Sequence, residues 1–209
     1  MTLGIDHVVY AVHDLDAAAT RFFEEFGLVT TPGGTHPRWG TANRIAPLGG
    51  ARYVELIAIV DPSAAATTSL GRAIGRRVAG GDRWFALCLA DDAIDDTAAR
   101  LGLGVTPGSR VRPDGGEVAW RGAGIDDERR TPDLPFFITW DGPADVHPGA
   151  LASEHPSGAS DVAWVEIAGD AERFAAWTNG APLPVRFVGG DGGITGVALS
   201  TPSDDLVVR

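Results

Sequence analysis

The sequence contains no lysine and no glutamine, so all 17 of its basic residues are arginine. Without lysine the chain cannot form a Schiff base, hold a phosphate with a P-loop lysine or use a Ser-x-x-Lys catalytic pair. The glycine fingerprint of dinucleotide-binding proteins and the Gly-x-Ser-x-Gly motif of hydrolases are also missing. No nucleotide cofactor is therefore indicated.

Cysteine is almost absent as well. The one cysteine, Cys88, lies in the apolar stretch 84–89, which has the pattern of a strand. A single cysteine cannot form an internal disulfide. We expect a buried and unreactive thiol at this position rather than a nucleophile.

Long apolar runs are missing too. No stretch approaches 18 uninterrupted apolar residues, so no transmembrane helix is expected. The first residues do not combine a basic region with an apolar core, so no signal peptide is expected. These features together predict a cytoplasmic location.

Positive charge is in short supply. The chain has 17 basic and 28 acidic residues, which gives a net charge of −11. Nucleic acids and anionic membrane surfaces both attract a positive surface, so neither is an expected partner. With 44% hydrophobic and 22% charged residues, the composition is nevertheless that of an ordinary folded protein.

What the sequence does contain is a strand-helix-strand-strand-strand pattern that recurs. It occupies residues 3–60, then 83–141, and in a degenerate form 160–209, after a Pro- and Gly-rich linker at 142–159. The predicted class is α+β. Tandem βαβββ units would form a curved mixed sheet around a cleft in a domain spanning 1–141, with a third degenerate unit after it.

Local signals set the expected boundaries of the first unit. Residues 5–12 have the pattern of a strand, Asp14 is suited to cap a helix and Gly27 is suited to end it. A short strand is predicted at 28–31. The Pro-Gly-Gly sequence at 32–34 predicts a turn after that strand.

Two ionisable residues stand out in the predicted strands. Glu55 interrupts the apolar strand 52–60, and His7 lies near the start of the first strand. A buried carboxylate costs several kcal/mol unless it is paired, hydrogen-bonded or bound to a metal. Glu55 could form an ion pair with Arg44 or Arg52, or it could face a cleft together with His7.

Several short segments carry a family resemblance. They are DHVV at 6–9, GGTHP at 33–37, YVEL at 53–56, LPFFITWD at 134–141 and HPSGA at 155–159. In this order, with a histidine in the first strand and a glutamate in the fourth, they resemble the vicinal oxygen chelate superfamily. That superfamily includes glyoxalase I, extradiol dioxygenases and bleomycin-resistance proteins. The match is to its glyoxalase-like branch.

The resemblance implies a divalent metal held by cleft-facing residues of the first and fourth strands, commonly Zn, Ni, Mn or Fe. On this basis His7 and Glu55 are the expected metal ligands, and Glu55 is the expected catalytic residue. The second unit departs from the pattern, because it has Phe85 and the apolar residues 136–138 at the equivalent positions. Two protein ligands are fewer than the usual three of a catalytic zinc site. Either another histidine completes the site or no metal binds.

Other residues are candidates for contact with a substrate in the cleft. They are His36, Asn43, Phe85, Phe137, Trp140 and Arg112. His36 and Asn43 could instead shape the loop that contains them, the aromatic residues could be core, and Arg112 could fix a turn with Asp114. His147 and His155 lie in the predicted linker, where we expect exposed side chains, although His155 could fold back over a cleft.

Two functions fit these features. The first is a glyoxalase-like enzyme of the lyase, isomerase or dioxygenase type that acts on a small molecule in an aromatic-lined cleft, with or without a divalent metal. The second is a non-catalytic protein of the same fold that binds a small molecule, such as an antibiotic-sequestering resistance protein. A homodimer is compatible with either function.

Overall fold

The computed structural model describes residues 3–128, 130–151, 153–190 and 192–209. The strands in these ranges are β1 (Leu3–Ala11), β2 (Thr31–His36), β3 (Thr41–Gly49), β4 (Arg52–Ile59), β5 (Arg83–Asp91), β6 (Val105–Val111), β7 (Glu117–Ala123), β8 (Phe136–Asp141), β9 (Asp161–Ala168), β10 (Val185–Val188), β11 (Gly193–Ser200) and β12 (Leu206–Val208). The α-helices are α1 (Leu15–Phe26), α2 (Pro62–Ala66), α3 (Ser69–Val78), α4 (Ile94–Leu101) and α5 (Ala171–Trp177). No helix in the described ranges is long and apolar enough to cross a membrane.

Strands β1 to β8 form one curved mixed sheet that closes on itself in the order β1-β4-β3-β2-β6-β7-β8-β5. The first and last strands of each unit run parallel, β1 beside β4 and β5 beside β8. The two units join through antiparallel pairing of β1 with β5. On the far side, β2 meets β6 where Thr35 pairs with Val111. The predicted α+β class, with tandem βαβββ units around a cleft, is confirmed.

Local capping explains why α1 begins and ends where it does. The Asp14 carboxylate accepts hydrogen bonds from the backbone N–H groups of Asp16 and Ala17, each at 2.8 Å. Gly27 ends the helix with a left-handed φ of 58°, which glycine adopts without steric cost. Both predicted ends are confirmed. Phe22, fully buried, anchors the helix in the apolar core.

The third βαβββ arrangement forms a separate small sheet in the order β10-β9-β11-β12, with α5 following β9. Its Val165 and Val197 belong to the same apolar cluster as Phe22 and Leu87 of the first two units. The indole N–H of Trp84 also donates a hydrogen bond to the carbonyl of Val208 at 3.0 Å. The small sheet therefore shares a core with the outer side of the closed sheet. The division into a domain at 1–141 and a unit at 160–209 stays a prediction.

The predicted turn at 32–34 is wrong, because these residues lie within β2. The pairing of β2 with β3 shifts its register between Pro32 and Gly34, as a β-bulge does. A side chain at Gly34 would meet the backbone oxygen of Val111 in β6 at 2.1 Å, and its φ is +141°. The glycine is needed for close approach of two strands rather than for a turn, and sequence alone does not separate these two uses.

The expectation that His147 and His155 are exposed is also wrong, because both are buried. The segment that contains them folds back onto the first unit. The Nδ1 atom of His155 accepts a hydrogen bond from the backbone N–H of Val29 at 3.0 Å, and its Nε2 donates to the carbonyl of Pro47 at 2.7 Å. The histidine thus satisfies backbone groups of two different segments, which offsets the cost of its burial.

Candidate functional site

A cavity lies inside the closed sheet. Its walls are mainly aromatic and aliphatic, with a small number of polar groups, as in many small-molecule sites. The lining residues on the polar and aromatic sides are His7, His36, Trp39, Asn43, Tyr53, Glu55, Arg110, Trp120, Phe136 and Trp140. The two residues singled out by the sequence, His7 and Glu55, therefore face one cavity.

The parallel pairing of β1 with β4 brings these two residues together. Val9 lies opposite Glu55 in the register, so His7 is two positions away along the neighbouring strand and on the same face. The Nε2 atom of His7 is 3.7 Å from Oε2 of Glu55. Both side chains are buried.

Asp6 fixes the other side of the His7 ring. Its Oδ1 lies 2.6 Å from Nδ1 of His7. The pairing of β1 with β5 is irregular between Ile5 and His7, which allows two successive side chains to be buried together. A carboxylate partner at Nδ1 keeps the proton on that nitrogen and leaves the Nε2 lone pair facing Glu55.

The second carboxylate oxygen of Asp6 is equally well satisfied. Oδ2 accepts hydrogen bonds from Nε1 of Trp140 at 2.9 Å and from Nε2 of His147 at 3.1 Å. His147 is the donor in this contact, because its Nδ1 accepts a hydrogen bond from the Gly149 N–H at 3.0 Å. Burial alone would raise the pKa of Asp6, but hydrogen bonds from His147 and His7 outweigh it and hold the pKa at about 2. Asp6 is therefore ionised at neutral pH.

Asn43 holds Glu55 from the neighbouring strand. Its Nδ2 donates a hydrogen bond to Oε1 of Glu55 at 2.5 Å. The other carboxylate oxygen, Oε2, remains directed towards His7. Among the described residues that line the cavity, Glu55 is the one acidic side chain.

His36 contributes a neutral imidazole to the same cavity. Its Nδ1 is 3.0 Å from the hydroxyl oxygen of Thr41. Burial lowers the pKa of His36 to about 4, so the ring is uncharged at neutral pH. The ring packs edge-on against Trp39 and Trp120, with centroids 6.0 and 5.9 Å away.

Some cavity residues were not predicted from the sequence. Tyr53 stacks on His7 with ring centroids 4.5 Å apart, and Arg110 and Trp120 come from the second unit. Asp6 was visible as a charged residue in an apolar strand beside His7, which is the same signal that identified Glu55. Arg110 and Trp120 gave no comparable signal, because neither is an ionisable residue inside an apolar strand.

Comparison with known proteins identifies the family. The family model of the glyoxalase-like domain matches residues 5–181. This chain belongs to the glyoxalase-like domain family. The predicted resemblance is therefore confirmed. No curated protein matches the chain.

Three solved structures illustrate the similarity of this chain to known proteins. A hypothetical protein from Staphylococcus aureus is 17% identical with a TM-score of 0.69, covering 98% of this chain and 84% of that chain. A methylmalonyl-CoA epimerase from Mycobacterium tuberculosis is 18% identical with a TM-score of 0.46, covering 66% and 86%. A Streptomyces coelicolor methylmalonyl-CoA epimerase in complex with 2-nitronate-propionyl-CoA is 19% identical with a TM-score of 0.48, covering 69% and 97%. The Staphylococcus aureus protein shares the fold over nearly the whole chain.

Two sets of side chains in this glyoxalase-like chain could hold a metal. Asp6, His7 and Cys88 have ligand atoms within 4.8 Å of one another. Both Asp6 oxygens already accept hydrogen bonds, and burial raises the pKa of the Cys88 thiol well above its ordinary value, so the thiol stays protonated. His7 Nε2 and Glu55 Oε2 fit better. Their separation of 3.7 Å is compatible with one ion at about 2.0–2.2 Å from each.

Three of the predicted substrate contacts do not line the cavity. Phe137 faces the opposite side of the sheet and stacks on Trp177, with centroids 6.4 Å apart. Phe85 is packed among core residues, and Arg112 lies on the outside, 3.2 Å from Asp114. Side chains of a strand alternate between the faces of a sheet, and the inward set can be assigned only when the register is known. His36, Asn43 and Trp140 do line the cavity with Glu55.

Proposed function

We propose that this chain is an enzyme that transfers a proton on a small molecule bound in the cavity, with Glu55 as the acid–base group. The observation that carries the proposal is the arrangement of Asp6, His7 and Glu55. Asp6 is ionised and binds Nδ1 of His7, while Nε2 of His7 faces Glu55 at 3.7 Å. An oriented imidazole next to a carboxylate in a cavity is typical of acid–base chemistry.

Each residue has a distinct role in this proposal. Glu55 accepts a proton from the substrate through Oε2 and later returns it, which is the pattern of an isomerase or lyase. Asn43 holds Oε1 by its 2.5 Å hydrogen bond and so fixes the direction of the carboxylate. Asp6 keeps the imidazole of His7 in one orientation and one tautomer. The apolar walls would strengthen the interaction of these groups with a polar substrate that displaces water from the cavity.

The same two side chains are suited to a divalent metal. His7 would supply Nε2 and Glu55 would supply Oε2, and Asp6 is already placed at the outer nitrogen of the imidazole, as is usual for metal-bound histidines. The neutral His36 lines the same cavity and offers another nitrogen. Zn, Ni, Mn and Fe are the candidates. When bound, such a metal would polarise a substrate oxygen as a Lewis acid.

Proton transfer can be tested without knowing the natural substrate. Purified protein is incubated in D₂O with small 2-oxo acids, hydroxy acids and aldehyde–thiol adducts, and loss of the exchangeable C–H signal is followed by NMR. We expect exchange by the wild type and a reduction of roughly 10²–10⁴-fold in Glu55→Gln, because the amide cannot accept the proton. Glu24→Gln makes the same chemical change on an exposed part of α1 and should exchange normally.

A wild type that binds members of this panel but exchanges none of them would contradict the proposal. That result would favour the second candidate function, a non-catalytic binding protein of the antibiotic-sequestering type. One observation supports this candidate. Where the second unit could supply further metal ligands, the cavity is lined by Phe136 and Ile138. In that case Glu55→Gln would bind the same compounds as the wild type.

The remaining sequence predictions enter this proposal unchanged. The ligand is a small molecule, and the net charge of −11 argues against nucleic acids and anionic membranes as partners. A cytoplasmic location and a homodimer stay predictions.

A further inference from the structure

Arg110 is a buried cation in the wall of the cavity. It lies on β6, and only 3% of its surface is exposed. Burial lowers the pKa of its guanidinium group, but an arginine remains protonated at neutral pH. A buried charge costs several kcal/mol unless a partner compensates it. The charge of Arg110 therefore requires a compensating partner.

The described protein does not supply that partner. Nε and Nη1 of Arg110 are buried without a hydrogen-bond acceptor in the described ranges. Glu55 attracts the guanidinium group through space, but its Oε1 is engaged by Asn43 and its Oε2 faces His7. Arg130 makes a useful contrast. It is half-buried, and its Nε and Nη1 donate to the carbonyls of Gly124 and Leu134 at 3.0 and 2.9 Å.

Packing against the neighbouring strand β2 sets the position of the Arg110 side chain. A side chain at Gly33 on β2 would lie 2.7 Å from Nη1 of Arg110 and 2.2 Å from Oδ1 of Asn43. The bare backbone at Gly33 therefore leaves the space that both side chains occupy. Since Asn43 also binds Glu55, the guanidinium group belongs to the same constellation as the proposed acid–base residue.

Two tryptophans add further unused donors. Nε1 of Trp39 and Nε1 of Trp120 are both buried without an acceptor in the described part of the chain. The two indoles line the same cavity as Arg110 and stack with centroids 6.0 Å apart. An indole N–H can only donate, as can a guanidinium group. Among the described residues, the cavity also holds one unpaired buried acceptor, Oδ1 of Asn43, against four unpaired donor atoms of Arg110, Trp39 and Trp120. Donors are therefore in excess, and a ligand with oxygen acceptors would satisfy them.

We infer that Arg110, assisted by Trp39 and Trp120, binds the carboxylate of a small organic acid with an apolar body. The planar guanidinium group matches a carboxylate with two parallel hydrogen bonds. The aromatic and aliphatic walls suit a compact apolar remainder. This inference rests on the proposed function in one respect, because it takes the substrate to occupy this cavity.

The carboxylate site gives a sharp specificity. A neutral amide of the same shape would leave the guanidinium group and the indole N–H groups without full acceptors, and unpaired buried donors are costly. The net charge of −11 repels anions at long range, so preference for the acid must come from local contacts. Comparison of an acid with its own amide therefore isolates the effect of the carboxylate, and the same comparison in Arg110→Met isolates the share of Arg110.

The test uses matched probes and isothermal titration calorimetry. The acids are phenylacetate and isovalerate, the neutral probes are phenylacetamide and isovaleramide, and phenyl phosphate tests a different oxyanion. We expect the wild type to bind at least one acid at least tenfold more tightly than its amide. Arg110→Met should remove this preference by weakening the acid and leaving the amide unchanged. Arg121→Met removes an equal charge from an exposed ion pair with Asp95 and should keep the preference.

Thermal unfolding without ligand gives an independent readout. Because Arg110 has no partner in the described structure, Arg110→Met should unfold at a midpoint equal to or higher than that of the wild type, whereas Arg130→Met should unfold at a lower one. Four binding results would overturn the inference. In the wild type these are equal binding of acids and amides, no binding of either acid, and tighter binding of phenyl phosphate. In Arg110→Met it is a retained preference for the acid. Glu55→Gln should keep the acid preference, so loss of proton exchange alone would count only against the proposed function.

Discussion

Asp6 and His7 are adjacent in the sequence, and their side chains meet inside the barrel at 2.6 Å between Oδ1 and Nδ1. Two further N–H groups, from Trp140 and His147, bind the other oxygen of Asp6. The pKa of Asp6 is lowered to about 2, so its stabilising contribution is present above about pH 3.8 and is lost as the pH falls towards 2. Over the ordinary working range of pH the carboxylate holds the His7 ring in place.

His147→Phe should destabilise the protein, because it keeps an aromatic ring but removes the donor to Asp6 and the acceptor of the Gly149 N–H. We expect a loss of about 1–3 kcal/mol in the free energy of unfolding, measured in urea. His13→Phe is the matched control, since 60% of that side chain is exposed. Equal stability of His147→Phe and the wild type would contradict the assignment of His147 as a donor to Asp6.

His36 should make stability depend on pH. Its pKa is lowered from 6.5 to about 4 in the folded protein by burial, so the unfolded chain binds more protons between these two values. Stability is therefore complete above about pH 6.5 and falls as the pH is lowered towards 4, by about 3 kcal/mol in all. Comparison of urea unfolding at several pH values should show a flatter dependence for His36→Gln, which keeps a polar partner for Thr41.

Because other titratable groups contribute to the same curve, the informative quantity is the difference between His36→Gln and the wild type. His13→Gln should change the curve much less, because 60% of the His13 side chain is exposed and solvent screens its ion pair with Asp82. Parallel curves for His36→Gln and the wild type would show that His36 is not buried as a neutral ring.

Gly33→Ala tests the close packing of β2 against the cavity residues. The new methyl group would lie 2.2 Å from Oδ1 of Asn43 and 2.7 Å from Nη1 of Arg110, so both side chains must move. We expect a loss of about 1–3 kcal/mol in the free energy of unfolding, typical of overpacking. Gly4→Ala is a matched change in β1, where a methyl group meets nothing within 4 Å. Equal effects of the two substitutions on thermal unfolding would argue against this packing.

Features set by short-range signals were predictable from the sequence. The cap at Asp14 and the C-terminal Gly27 both follow from the residues next to them. The proximity of His7 and Glu55 was also predictable, because the family resemblance places residues of the first and fourth strands in one cleft. Asn43 and His36 then lay in the same cavity as Glu55.

Features set by distant contacts could not be predicted. His147 meets Asp6 across 141 positions of sequence, and nothing in its own Pro- and Gly-rich surroundings indicates burial. The glycines at 33 and 34 allow β2 to approach Arg110 and Val111, but their sequence is also that of a turn. In the sequence Arg110 looks like a polar residue of a half-exposed strand. Only the closure of the sheet shows that its side chain lies inside.

Metal titration tests the central claim, that His7 and Glu55 form one chemical site, most directly. Metal-free wild type, His7→Ala, Glu55→Ala and Cys88→Ala are titrated with Zn²⁺, Ni²⁺ and Mn²⁺ by calorimetry. We expect the wild type and Cys88→Ala to bind one equivalent of at least one metal. His7→Ala and Glu55→Ala should each lose tight binding, and Asp6→Asn should bind about 10–100-fold more weakly, because Asp6 orients His7. Absence of binding to the wild type would exclude a metal at this pair, and tight binding retained by both His7→Ala and Glu55→Ala would contradict the account.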